Sequence, residues 1–314
     1  MPALPARGAG HLSTPIVLDC DPGHDDAIAI LLALASPEVE LRGISTVAGN
    51  QTLDKTTRNA LKVLELADRT DIPVVAGADA PLKRTLRTAA NVHGESGLDG
   101  PDLPEPTTKP VDGDVVDVLA DWLEPGVVLV PTGPLTNVAR LLQQHPQATD
   151  RIVWMGGAMA EGNVTPAAEF NAYVDPEAAR IVFESGIEVT MIGLDITHMA
   201  LFDSTHAERL RGAGRAGKAV AELADFFLEF HRQRYRFEGA PIHDAMAVAH
   251  VIDPTLVTTL NCNISIETES EFCDGRTVVD RWLVTGLPKN AQAGIDVDAQ
   301  RFLELLVERI GSLA

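Results

Sequence analysis

Leu18-Asp19-Cys20-Asp21-Pro22-Gly23-His24-Asp25-Asp26 places four carboxylates within eight residues. Apolar and β-branched residues from Ile16 lead into this stretch and the apolar run Ala27–Ala35 leads out of it, so a strand ends and a helix begins inside it. Asp19 and Asp21, two apart on an extended chain, point to one side, while Asp25 and Asp26 fall on a first helical turn, where the helix dipole favours anions. Packing four like charges together costs free energy unless donors or a cation compensate. A hard divalent cation with oxygen ligands answers that need. Helix capping by Asp25 or Asp26 is the plainer alternative, but it leaves Asp19 and Asp21 unexplained.

Three other readings of the stretch fail on spacing. An EF-hand loop starting at Asp19 requires glutamate at its twelfth position, which is Ile30. Phosphatases of the haloacid dehalogenase type also end a strand in Asp-x-Asp, but carry Thr or Val where Gly23 stands. A phosphate-binding loop needs Gly-Lys-Ser/Thr, which does not occur.

Outward from this point, short apolar runs alternate with helical patterns. Strands are expected at Ile16–Asp19, Leu41–Val47, Val74–Ala76, Val127–Val130, Ile152–Met155 and Val189–Gly193. Helices are expected at Asp25–Ala35, Leu53–Ala67, Val115–Leu123, Leu135–Leu142 and Pro176–Glu184. This rhythm implies an α/β fold with a mostly parallel central sheet flanked by helices, and a site at the carboxyl ends of the strands. Asp79–Pro110 lacks periodicity and reads as a lid or a disordered stretch. Further on, a long helix Gly217–Glu238, a short one from His243, strands Asn261–Thr268 and Thr277–Val284, and a last helix from Val297 complete the expectation.

At 314 residues the chain suits one domain, 15–314, behind a leader of residues 1–14 expected to be disordered. A net charge of −20 excludes a phosphate-tracking nucleic-acid binder. The longest apolar run, nine residues, is too short to span a bilayer. Cys20, Cys262 and Cys273 show neither pairing nor zinc-like spacing, which suits a reducing cytoplasm.

Oxygen-rich pieces recur at the expected strand ends: Val47-Ala48-Gly49-Asn50, Pro131-Thr132-Gly133-Pro134-Leu135-Thr136-Asn137, Met155-Gly156-Gly157, Glu161-Gly162-Asn163, Ala168-Glu169-Phe170-Asn171 and Ile242-His243-Asp244. Together with the Asp-rich stretch they form the inventory of a site for a metal and a polyhydroxylated ligand, because Asn and Glu suit sugar hydroxyls. With His93-Gly94-Glu95-Ser96-Gly97-Leu98 added in order, the chain resembles the inosine-uridine nucleoside hydrolases from about Ile16 to the final helix.

That resemblance implies a Rossmann-like fold, a bound Ca²⁺, and hydrolysis of the N-glycosidic bond of ribonucleosides to ribose and base. It also implies a homo-oligomer, tetramer or dimer. By motif, the calcium ligands are Asp21, Asp26, the Thr132 carbonyl and Asp244. Asp25, Asn50, Asn163, Glu169, Asn171 and Asp244 hold the ribose, with Met155, Phe170 and His93 in the same pocket. His24 departs from the Ile, Thr or Val usual at its place.

Hydrolysis through an oxocarbenium-like transition state needs an activated water and a protonated leaving base. Asp21 beside the metal is the expected general base, and His243, titrating near neutrality, the expected general acid. The loop His93–Leu98 is expected to close over the ligand. Five of the fourteen aromatics fall between Phe226 and Phe237. Phe227, His231 and Tyr235, four apart, share one helix face and suit contacts to pyrimidine oxygens and proton transfer to the base, with inosine also accommodated. An ordinary buried helix face is the plain alternative. Two other functions compete: a phosphotransferase with Asp19 as nucleophile and magnesium as cofactor, and a calcium-dependent nucleoside-binding protein without turnover.

Overall fold

The structure is a computed structural model that describes residues 13–313. The leader expected over residues 1–14 lies almost entirely outside them, and Thr14 already belongs to the first strand. Within β1 (Thr14–Cys20) the period-2 alternation of side chains sends Ile16 and Leu18 into one apolar core and Val17 into another, so both sheet faces are covered.

The other parallel strands follow at β2 (Val39–Thr46), β3 (Val74–Ala76), β4 (Val128–Pro131), β5 (Arg151–Met155) and β6 (Glu188–Ile192). Between them run α1 (His24–Ala35), α2 (Leu53–Leu66), α3 (Ala90–His93), α4 (Val115–Trp122), α5 (Thr136–Gln144), α6 (Phe170–Val174) and α7 (Pro176–Phe183). The helices α8 (Leu194–Thr197), α9 (Ser204–Arg211), α10 (Gly214–Tyr235), α11 (His243–Ile252) and α12 (Ala299–Gly311) complete the set. Two ribbons, β7 (Leu201–Phe202) with β8 (Ala240–Pro241) and β10 (Ile264–Ile266) with β11 (Thr277–Val279), stand apart from the main sheet. That sheet runs β3-β2-β1-β4-β5-β6 and ends in β12 (Ala291–Val297) and β9 (Val257–Cys262).

Its first six strands have the doubly wound order, and the order reverses between β1 and β4. Strand β12 pairs parallel with β6, whereas β9 closes the edge antiparallel. Strand β12 was not expected, since Ala-Gln-Ala-Gly-Ile-Asp-Val has little β propensity and forms only because β6 and β9 supply partners on both sides. The last helix therefore starts at Ala299 behind the cap Asp298, not at Val297. The strand expected over Thr277–Val284 stops at Val279, because the Asp280 carboxylate accepts the Val284 and Thr285 N–H groups and folds the chain into a turn. In place of Asn261–Thr268, two strands lie on either side of Asn263.

Candidate active site

Loops leaving β1 and β4 diverge at the switch point and open a crevice there. The ends of β2 and β5 border it with Asn50 and Met155, and the amino ends of α1 and α11 bring Asp25, Asp26, His243 and Asp244. Carboxyl oxygens of Asp25, Asp26 and Asp244 approach within 4.8 Å of one another, all buried. Asp26 Oδ1 accepts from the Thr132 hydroxyl at 2.8 Å and Oδ2 from the Gly23 N–H at 2.9 Å, which completes a capping interaction. Burial, then the charge of Asp26, raises Asp25 to about 7. Burial with the charges of Asp25, Asp26 and Asp21 pushes Asp244 well above the carboxylate range.

Asp21 sits just past the end of β1, so strand alternation does not align it with Asp19. Its Oδ2 accepts the Asn50 N–H at 2.6 Å, while Oδ1 is buried and takes no hydrogen bond among the described residues. Gly49 presses against it: a Cβ there would lie 2.1 Å from Asp21 Oδ2. Burial, then the charge of Asp26, raises Asp21 strongly.

Asp19 belongs to the framework instead. Its Oδ1 accepts from Ser45 Oγ at 2.6 Å and Asn137 Nδ2 at 2.8 Å, tying β1 to β2 and α5. Burial raises it to about 6. The fourth carboxylate beside Asp21, Asp25 and Asp26 is thus Asp244, from the far end of the chain. Fully buried and with Oδ1 tied to Ser45 and Asn137, Asp19 is placed as a framework residue and not as a phosphoryl acceptor.

An orphaned buried carboxylate oxygen next to three more carboxylates is a donor set that a hard cation fits. Cys20 does not join it, since its Sγ turns to the Ser45 carbonyl.

One wall of the cavity is polar and rigid. Glu169 caps α6, accepting from Asn171 N at 2.9 Å, Gly157 N at 2.8 Å and Ala172 N at 3.1 Å, and burial raises it to about 7. Asn171 Nδ2 donates to the carbonyls of Thr132 (2.8 Å) and Met155 (3.1 Å), which leaves its Oδ1 for a ligand. Asn163 Oδ1 accepts the Phe170 N–H at 2.9 Å, which leaves its Nδ2.

The opposite wall is aromatic. His231 Nδ1 lies 2.9 Å from the Phe227 carbonyl, which can only accept, so the ring proton is on Nδ1 and Nε2 presents a lone pair. Burial lowers its pKa to about 4, so the ring is neutral. In that state Nε2 accepts hydrogen bonds from a ligand in the cavity. His243 Nδ1 is 2.7 Å from Thr197 Oγ1. The other acceptor near that hydroxyl, Leu194 O, is 3.5 Å away, too far to hold its proton. With the hydroxyl donating to Nδ1, His243 carries its own proton on Nε2. Burial drives the His243 pKa well below the usual value, so this ring too is neutral and does not titrate near pH 7 in the free pocket.

All the expected site residues except Asp21 and Asp26 line this one cavity, and those two are buried in the cluster described above. The matching profile is that of the inosine-uridine preferring nucleoside hydrolases, over residues 16–304. The chain belongs to that family. Among relatives, it is 53% identical over 307 residues to the pyrimidine-specific ribonucleoside hydrolase RihA of Escherichia coli O1:K1, covering 95% of this chain and 99% of that protein. Its fold superposes on the purine-preferring ribonucleoside hydrolase of Gardnerella vaginalis with a TM-score of 0.90 at 36% identity, covering 95% and 98% of the two chains. A plant nucleoside hydrolase gives 0.89 at 33%, covering 96% and 100%.

The protein is therefore a ribonucleoside hydrolase, and nucleosides are its small-molecule substrates. In this nucleoside hydrolase the loop His93–Leu98 is tied to α2 and the residues before it. Gln51 Nε2 donates to the Gly94 carbonyl at 2.7 Å and Asn59 Nδ2 to the Ser96 carbonyl at 3.0 Å. Sequence reasoning missed His198, Arg87 and Arg234, which also line the cavity, and Thr197, which orients His243 from 46 positions away. No local pattern marks any of them.

Proposed function

We propose that this nucleoside hydrolase is calcium-dependent and favours pyrimidine nucleosides, with inosine as a lesser substrate. The observation that carries the reading is the buried carboxylate cluster beneath a pocket with one hydroxyl-binding wall and one aromatic wall. Asp21, Asp26, the Thr132 carbonyl and Asp244 would hold the ion, with Asp25 close by. When bound, the cation would supply positive charge that acidifies a water beside the ribose. Asp21, held by Asn50 through Oδ2, stands beside the ion as the carboxylate that accepts the water's proton. Asp25, Asn50, Asn163, Glu169 and Asn171 fix the sugar, and carboxylates around it favour positive charge developing on the ring. His243 Nε2–H faces the leaving base as hydrogen-bond donor.

Base preference follows from atom types. His231 Nε2, a lone pair, suits uracil N3–H or the cytosine amino group, and the Tyr235 hydroxyl suits an exocyclic oxygen. The relatives named pyrimidine-specific support this reading. In steady-state assays, kcat/KM for uridine and cytidine should exceed that for adenosine and inosine at least tenfold. Tyr235→Phe should lower the uridine value by about tenfold, the cost of leaving a polar partner unpaired. Purine preference, or a Tyr235→Phe enzyme equal to wild type, would refute it.

We also propose a homo-oligomer, dimer or tetramer, supported by Trp282 and Val284, which are 80% and 81% exposed beyond β11. Light scattering of the purified protein should give a multiple of 33.5 kDa, and a monomer mass would contradict the proposal. Three free cysteines, and no helix among the described residues long and apolar enough to cross a membrane, are compatible with the cytoplasmic location expected above.

A further inference from the structure

His24 takes no part in the steps above, yet it is fully buried and touches three elements at once. At the start of α1, its Nε2 donates to the Asp99 carbonyl at 2.7 Å. Its Nδ1 stands 3.2 Å from His93 Nδ1, and its backbone N–H points to the same nitrogen at 3.3 Å. The ring stacks on Phe226 and Phe227 of α10, with centroids 5.0 and 5.5 Å away. Gly23 permits the approach, since a Cβ there would lie 2.5 Å from His93 Nδ1.

The consequence falls on His93. Nδ1 of His93 is turned onto residue 24, whose ring nitrogen and backbone N–H both approach it, and Nε2 is the ring nitrogen left for the cavity that His93 lines. Gln51 and Asn59 hold the main chain of the 93–99 loop but do not reach this ring. Among the described residues, its polar contacts come from His24 alone. The loop is held by α2, by its approach and by His24 through the Asp99 carbonyl, whereas the imidazole takes its polar contacts from residue 24 and stacks on Phe227.

We propose that His24 is a positioning residue for His93, setting the rotation of that imidazole over the base half of the pocket and so raising turnover. The proposal rests on the pocket reading given above.

A double-mutant cycle with uridine tests it. His24→Phe keeps the stacking and the backbone N–H at His93 but loses the ring contacts to His93 and Asp99, and should lower kcat about tenfold while KM stays within about threefold. His24→Gln, which offers a donor and an acceptor, should recover most of that loss. In a His93→Ala background, His24→Phe should change kcat less than about twofold, because the ring it orients is gone. Losses that multiply in the double variant, a His24→Phe enzyme with wild-type kcat, or a His24→Gln enzyme no better than His24→Phe would each overturn the proposal. Melting curves confirm that the compared variants are folded, and His24→Leu replaces Phe in the cycle if Phe does not fold. Absence of any wild-type turnover would sink the pocket reading and this proposal together, whereas normal wild-type turnover with multiplying losses would sink this proposal alone.

Discussion

Asp21→Asn should lower kcat for uridine by on the order of 10² to 10⁴, with a much smaller change in affinity for a ribose-like inhibitor. The amide is isosteric with the carboxyl group, and size matters because the Gly49 backbone leaves no room beside it. One amide oxygen can still take the Asn50 N–H that Asp21 Oδ2 receives at 2.6 Å. What disappears is the basicity of the carboxylate. An amide cannot accept a water's proton, so the chemical step suffers while the sugar contacts from Asn50, Asn163 and Asn171 remain. Metal analysis of the variant separates loss of the base from loss of the ion. Near-normal turnover with metal retained would remove Asp21 from the reaction.

Removing the ion should be as damaging. Treatment with a chelator is expected to abolish turnover, and calcium, not zinc, should restore it, because the site offers carboxylates and a carbonyl with no thiol. Stability should fall as well. An ion present at a thousand times its Kd stabilises the fold by about 4 kcal/mol, on the order of 10 °C in Tm for a chain this long. The metal-free form should also acquire a characteristic pH dependence. Its carboxyl pKa values are raised by burial, to about 7 for Asp25, so the folded state holds protons that the unfolded chain releases. The stability linked to those protons is full below the ordinary carboxylate pKa and is lost as pH rises through about 7. Metal-free protein should therefore melt higher at about pH 5.5 than at about pH 7.5, and calcium should flatten the difference. Stoichiometric zinc in the dialysed protein, or full activity in excess chelator, would contradict the metal assignment.

The doubly wound half of the fold was legible because its signals are local. Strands such as Val74–Ala76 are short runs of apolar or β-branched residues, and helices such as Leu53–Leu66 carry their period within themselves. The C-terminal part was less so. Strand β12 has alanine, glycine and glutamine where a strand reader seeks valine, and only its neighbours β6 and β9 make it extended. Among site residues, those in motifs at strand ends were found, whereas His198 and Thr197 stand in no pattern that composition or spacing reveals.

The sequence by itself determined the α/β rhythm, the placing of carboxylates and amides at strand ends, and hence the family, because each depends on residues within a few positions of one another. Tertiary structure alone decided which groups meet. It turned Asp19 onto Ser45 and Asn137 and brought Asp244 to Asp25 and Asp26 in its stead. It set Thr197 against His243 and seated His24 against His93 and Asp99. These are contacts between distant parts of the chain, set by how strands and helices pack, and hydrogen-bond direction and burial then determine the charge and proton position of each group.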